Sequence, residues 1–398
     1  MPAYLVGGAV RDALLGRRSE YLDLDFVLPE SAVQTARKIA SHYKAGFVLL
    51  DAERQIARVV FKQATADFAQ LEGANLETDL QRRDFTINAI AYNPHTGEKF
   101  DPLQGYTDLQ ARVIRMVSPT NLQDDPLRLL RAYRQAAQLG FDIDTATLSA
   151  IRQLAPLLSQ VPAERVLAEL RYLLRTPQGT PWLIAGCEDG LLSSWFGGAH
   201  SNLRSQLPAV DSAAKLLGET WQQLQVELSR SLRDTINTSL LGIAKLFHLL
   251  PPTPEDAEAQ MLRLTYSKAE VRAVTTSIAH LPQLQEVATS QMPVREQYFF
   301  FRDVGTLFPA VAVLAVASGT PLEAIAPLIT RYLNPDDLVA HPTPLVTGND
   351  LMRSLNLPPG PQLGQLLAEI QVARAEGRIS TPAEALKFSA QILDTSEN

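Results

Sequence analysis

Residues 4–30 read YLVGGAVRDALLGRRSEYLDLDFVLPE. A short apolar run ends in Gly7-Gly8, and GAVRDALLG spells a short helix closed by Gly16. YLDLDFVL then alternates with period two, the signature of a strand. Residues i and i+2 of a strand share a side. Asp23 and Asp25 therefore project together, with Leu22, Leu24 and Phe26 facing the other way into a core. Adjacent carboxylates repel unless a cation lies between them. A Mg²⁺ pair suits them, because Mg²⁺ prefers oxygen ligands and keeps open positions for phosphate oxygens. Two such ions about 4 Å apart can activate a hydroxyl and stabilise a leaving pyrophosphate.

Alone, an Asp-x-Asp is more often a solvated strand face. The turn before it changes that weighting. Gly7 and Gly8 allow the backbone close to a ligand, and the helix that follows offers its positive end to a triphosphate. Arg11 has two readings, phosphate neutralisation or a surface pair with Asp12. Arg17 and Arg18, at the helix end, either compensate the dipole or meet nucleic acid.

The 398 residues suffice for two or three domains. A net charge of −7 weakens any case for tight nonspecific nucleic-acid binding. That charge lies wholly beyond residue 175, the first 175 residues being balanced at 21 basic and 21 acidic, so a local basic groove stays open. One cysteine, Cys187, rules out an internal disulfide framework. The N-terminus lacks a secretory pattern, and the apolar stretch around FPAVAVLAVASGTPL is too short to span a bilayer. We expect a cytoplasmic protein. Strand-like and helix-like runs alternate to about residue 123, and helical spacing prevails from 124 onward. The expected fold class is α+β, a small mixed sheet followed by helices.

Five segments occur in a telling order: LVGGAVRDALLG…DLDFV, DLQRRDFTINAIAYN, DPLQGYTDLQARVIR, DDPLRLLRAYRQAAQLGF and ERVLAELRYLL. Together they resemble the class II tRNA nucleotidyltransferase and bacterial poly(A) polymerase family, whose members build or repair the CCA end of tRNA. The tail PLVTGNDLMRSLNLPPGPQLGQLL resembles the C-terminal segment of many members.

The resemblance implies a polymerase β-like head at 1–123, a helical neck with a base template at 124–200, a helical body at 201–333 and a tRNA-binding tail at 334–398. It implies that Asp23 and Asp25 hold catalytic Mg²⁺. It further implies that Arg83, Asp84 and Asn88 lie near the sugar and phosphates of the incoming nucleotide. Asp125 and Arg128, read as i and i+3 on one helix face, become the template that reads the base. The carboxylate accepts from the exocyclic amine of cytosine or adenine, and the guanidinium donates to the ring edge. Arg131 and Arg134 extend that stripe toward phosphate or form a solvated face. Asp101 or Asp108 caps or braces the head–neck junction, and Asp67 is a candidate third carboxylate.

One departure bears on specificity. CCA-adding members usually carry a long mobile loop between the Asp-x-Asp strand and RRDFTINA, which helps the pocket switch from CTP to ATP. Here ARVVFKQATADFAQLEGANLETDLQRRDF runs through without the expected Glu-then-Arg loop sequence. The expectation is a CC-adding enzyme that uses CTP on the tRNA 3′ end and needs a separate A-adding partner. The alternatives are full CCA addition with CTP and ATP, or A-adding or poly(A) synthesis.

Overall fold

The computed structural model describes residues 2–197, 202–233, 236–288 and 290–396, the side chains of 233, 236, 237 and 394–396 excepted. Two compact units emerge, residues 1–173 with 178–198, and residues 174–177 with 199–398. The neck–body boundary expected at 200 falls outside the described residues.

The first unit opens with β1 (Tyr4–Val6), α1 (Gly8–Leu14), β2 (Leu22–Leu28), α2 (Ala32–Tyr43), β3 (Gly46–Asp51), β4 (Ile56–Val60), β5 (Ala64–Gln70) and α3 (Leu76–Gln81). A 3₁₀ turn at Thr86–Asn88 leads to β6 (Ala91–Tyr92) and β7 (Lys99–Phe100). These strands form one mixed sheet in the order β3-β4-β5-β2-β1-β6-β7. β2 lies near its middle, parallel to β5 and antiparallel to β1.

Period-two alternation gives this sheet two unlike faces. Leu24 and Phe26 of β2, Ala57 and Val59 of β4, and Ala66 and Phe68 of β5 join one core cluster. α2 covers it through Ala32, Ala36 and Ala40, which recur every fourth residue and let helix and sheet approach closely. Phe26 and Phe68 stack at 5.3 Å. The intervening residues, Asp23, Asp25, Arg58, Thr65 and Asp67, share the opposite face. Leu22 departs from expectation, standing half exposed where the strand begins and no helix covers it. Ser31 precedes α2 in a left-handed conformation and makes no side-chain cap.

The unit continues with α4 (Gly105–Ala111), β8 (Val113–Ile114), α5 (Pro119–Asp124), α6 (Leu127–Leu139), β9 (Asp142–Ile143), α7 (Thr145–Leu154), α8 (Ala163–Leu174), α9 (Thr180–Glu188) and α10 (Ser193–Phe196). α6 buries Leu127, Leu129, Leu130, Tyr133 and Ala136, the helical stripe its sequence announces.

The second unit holds α11 (Leu203–Thr220), α12 (Gln222–Ser229), the β10–β11 ribbon (Ser231–Arg233, Ile236–Ser239), α13 (Leu240–Phe247), α14 (Pro254–Arg263), α15 (Lys268–Glu286), α16 (Val294–Val304), α17 (Phe308–Ala317), α18 (Leu322–Leu333), α19 (Gly348–Leu355), α20 (Pro361–Ala375) and α21 (Pro382–Ser396). The run Val294–Ala317 is long and apolar enough to cross a membrane. In this fold its α17 part is core, every residue from Phe308 to Ala315 being buried. Lys245, fully buried, is closed by Asp211 at 2.7 Å and the Thr176 carbonyl at 2.8 Å.

Candidate active site

The register sets three side chains in a row across the sheet: Asp25 on β2, Asp67 on β5 and Arg58 on β4. Arg58 grips Asp67 through two hydrogen bonds of 2.7 and 2.8 Å. Asp67 is thus neutralised by its neighbour, while Asp23 and Asp25 are left as a pair. Thr65, opposite Asp23, donates to its Oδ1 at 2.5 Å and fixes that carboxylate. Burial, reinforced by the charges of Asp23 and Asp67, pushes the Asp25 carboxyl up to about 6. Arg83 and Arg58 pull the other way but do not offset this, so the carboxylate is only partly compensated. Among the described residues no group of three His, Cys, Asp or Glu is arranged to hold a metal ion. A hard cation bound here would use two carboxylates plus ligand oxygens, the usual habit of Mg²⁺.

Gly7 lies against this pair. Its φ is +72°, and a Cβ there would stand 3.3 Å from Asp25 Oδ2 and 3.4 Å from Arg83 Nη1. Only glycine combines that conformation with that approach. Gly8 begins α1 and faces no comparable crowding. Arg83 reaches the same spot from the far side, tethered by Asp79 at 3.3 Å, with a buried Nε that has no partner.

Behind this surface lies a polar network. Asp84 is buried. Its Oδ1 accepts from Phe85 N at 2.8 Å and Asn88 Nδ2 at 2.9 Å; its Oδ2 accepts from Arg131 at 3.0 Å and Gln135 at 3.4 Å. Burial alone would raise its carboxyl, but Arg131 and these donors bring it below the ordinary range. Arg11, 7% exposed, donates to Asn88 Oδ1 at 2.9 Å and Gln135 Oε1 at 3.5 Å as well as to Asp12. Arg131 and Arg134 both bind Glu169 of α8.

Several expectations change accordingly. Arg11 is no free phosphate-neutralising charge, because its guanidinium is enclosed between α1, the 3₁₀ turn and α6. Arg131 and Arg134 form neither a phosphate stripe nor a solvated face, since Asp84 and Glu169 occupy them. Arg17 does serve a helix dipole, but that of α6, donating to the Gln138 and Leu139 carbonyls at 3.2 Å each. Asp101 caps α4 through the Gly105 and Tyr106 amides, and Asp108 binds Thr86 and Arg115.

Asp125 and Arg128 do not share a helix face. Asp125 is extended at the corner after α5, with φ −134° and ψ 92°, because Pro126 ends one helix and opens the next. Arg128 enters α6. Its Nη1 donates to the Arg82 carbonyl at 2.8 Å and the Asn121 carbonyl at 3.1 Å. Asp125 Oδ2 accepts from Arg165 of α8 at 3.0 Å, which ties this corner to that helix. Asn121, which the sequence did not single out, donates to the Gln81 and Arg83 carbonyls at 2.8 Å each and clamps the Arg-Arg-Asp turn to α5.

The link from β5 to α3 is only Leu71 to Asn75. Asp79 accepts from the Glu72 amide, Arg82 pairs with Glu72, and Asn75 caps α3. The segment flagged as lacking a mobile loop is thus strand, short tethered turn and helix.

Three family models match the chain: "Poly A polymerase head domain" over residues 3–115, "Probable RNA and SrmB- binding site of polymerase A" over 140–203, and "tRNA nucleotidyltransferase domain 2 putative" over 234–389. A CC-adding tRNA nucleotidyltransferase of Synechocystis sp. is 48% identical over 98% of this chain and 93% of its own. One of Geobacter sulfurreducens, also CC-adding, is 34% identical over 98% and 91%. A solved complex of a CCA-adding enzyme with ATP shares the fold, with TM-score 0.77 and 23% identity over 98% and 91% of the two chains.

Proposed function

The chain belongs to the tRNA nucleotidyltransferase and poly(A) polymerase family, and from that premise we propose a cytoplasmic CC-adding enzyme that transfers CMP from CTP to the tRNA 3′ end. The reading is carried by the incompletely compensated Asp23–Asp25 face with Gly7 and the half-free Arg83 beside it. The donor chemistry fits Mg²⁺, which Asp23 and Asp25 would hold. Bound there, it would lower the cost of ionising the attacking hydroxyl and stabilise the pyrophosphate that leaves.

The protein's own groups do the placing. Gly7 lets the triphosphate approach the backbone, and Arg83 offers its free edge to phosphate oxygens. The tRNA 3′-hydroxyl oxygen bonds to the α-phosphorus as the α–β phosphoanhydride bond breaks; the hydroxyl proton passes to solvent and pyrophosphate departs. Asp84, Asn88, Gln135 and Arg11 hold the turn that presents Arg83. At the α5–α6 corner, Asp125 Oδ1 and the Nε and Nη2 of Arg128 remain for the base. A carboxylate accepting from the cytosine amine, with a guanidinium donating to its ring nitrogen and carbonyl, rejects uracil, which presents a carbonyl where an amine is needed.

The short, tethered β5–α3 link supports CTP alone as the working nucleotide, because a pocket that cannot remodel stays set for one base. A separate A-adding enzyme then completes the end. Incubating the purified protein and Mg²⁺ with tRNA lacking CCA, CTP and ATP tests this. We expect a product ending in CC; one ending in CCA refutes the restriction, and no extension refutes the activity.

A further inference from the structure

Of the twelve large apolar residues exposed on the described surface, five gather at one margin of the seven-stranded sheet: Tyr43, Val48, Leu49, Leu50 and Val60. β3 is the terminal strand and pairs with β4 on one side only. Its other side offers a row of backbone N–H and C=O groups. Proteins usually blunt such an edge with charge, proline or a covering element. The run Gly46-Phe47-Val48-Leu49-Leu50 carries no charge and no proline. Scattered exposed apolar residues are ordinary, but a contiguous set on an open edge marks a pairing surface.

The edge is also electrically polar along its length. Lys44 precedes β3, and Lys62 stands at the same end, two residues past the Val60 that pairs with Gly46. Asp51 and Glu53 occupy the other end, with Arg54 following in the turn. Laid antiparallel on itself, such a strand sets its basic end against its own acidic end. Laid parallel, it sets like against like.

We propose that β3 pairs with β3 of a second copy of this chain, antiparallel about a twofold axis, extending the sheet across the interface. An axis at Val48 places Val48 against its counterpart and Phe47 against Leu49. It places Lys44 opposite Ala52, between Asp51 and Glu53 of the second copy. Main-chain hydrogen bonds supply the pairing, the aliphatic residues the buried area and the end charges the direction.

Sedimentation velocity of the full chain from about 1 to 100 μM tests this. We expect the mass to rise from 43.7 kDa toward twice that value, less readily at high salt. Leu49→Lys should weaken association about 100-fold and Lys44→Glu about 10-fold. The double variant Lys44→Glu with Glu53→Lys should restore it to within about 3-fold. Circular dichroism melts unchanged from the parent confirm that the exposed substitutions leave the fold intact. If Leu49→Lys nonetheless fails to fold, the charge swap decides alone. A parent chain that stays monomeric at 100 μM overturns the proposal. So does a dimer indifferent to Leu49→Lys, or a charge swap without restoration.

Discussion

Asp25, half-buried, and Asp84, buried, are acids of the first unit whose surroundings drive them in opposite directions. Asp25 on β2 is pushed up to about 6 by its burial and by two neighbouring carboxylates, which Arg83 and Arg58 offset only in part. Asp84 looks inward at Arg131, Asn88, Gln135 and a backbone amide and is held below the ordinary range. The first environment is incomplete without a cation and suits a site that binds one. The second is complete as it stands and suits a frame. Residue type does not separate the two roles; the charge and donor count around each carboxylate does.

The largest test of that contrast is Asp25→Asn. It should cut CMP incorporation on the order of 10³-fold or more, since it removes a carboxylate proposed to hold the cation at the reacting centre. It should also raise thermal stability at pH 7, by about 1–2 kcal/mol, because it deletes a repelled charge. A melting temperature that fell would break the comparison. Arg131→Met should do the reverse, lowering stability by about 3 kcal/mol by leaving Asp84 charged and uncompensated, as read from urea unfolding. Arg128→Ala should blur the choice between CTP and UTP about 10- to 100-fold while leaving divalent-ion binding unchanged. Undiminished CTP selectivity in single-turnover assays would overturn the proposed base-reading role of this corner.

The pH response sharpens the same comparison more gently. Asp25 is raised in the fold, so the native state binds more protons than the unfolded chain between about 4 and 6. Stability of the metal-free protein should therefore fall as pH rises through that window, and Asp25→Asn should flatten the slope. Divalent-ion affinity, followed by calorimetry, should weaken below about pH 6 as protons compete. Asp84, lowered in the fold, contributes stability that is lost only as pH falls below the ordinary carboxylate range.

Much of this was legible in the chain. Asp23 and Asp25 share a face because alternation is a property of any strand, and Gly7 marks its own conformation. Gln135 left a faint trace, a polar residue on the apolar stripe of α6. Arg58 and Thr65 left none, because only strand pairing places them beside Asp67 and Asp23. Asn121 was equally silent, since it acts on carbonyls some forty residues upstream. The Asp125–Arg128 spacing misled, because Pro126 breaks the helix that an i, i+3 reading assumes.

Local periodicity and backbone preference thus determined the strand, the turn and the acidic pair, for those depend on residues a few positions apart. Which acid stands bare and which is sealed, and which arginine is free to meet a ligand, was decided by partners that only folding brings within hydrogen-bond reach. Electrostatic environment is set by distance in space, and distance along the chain does not report it.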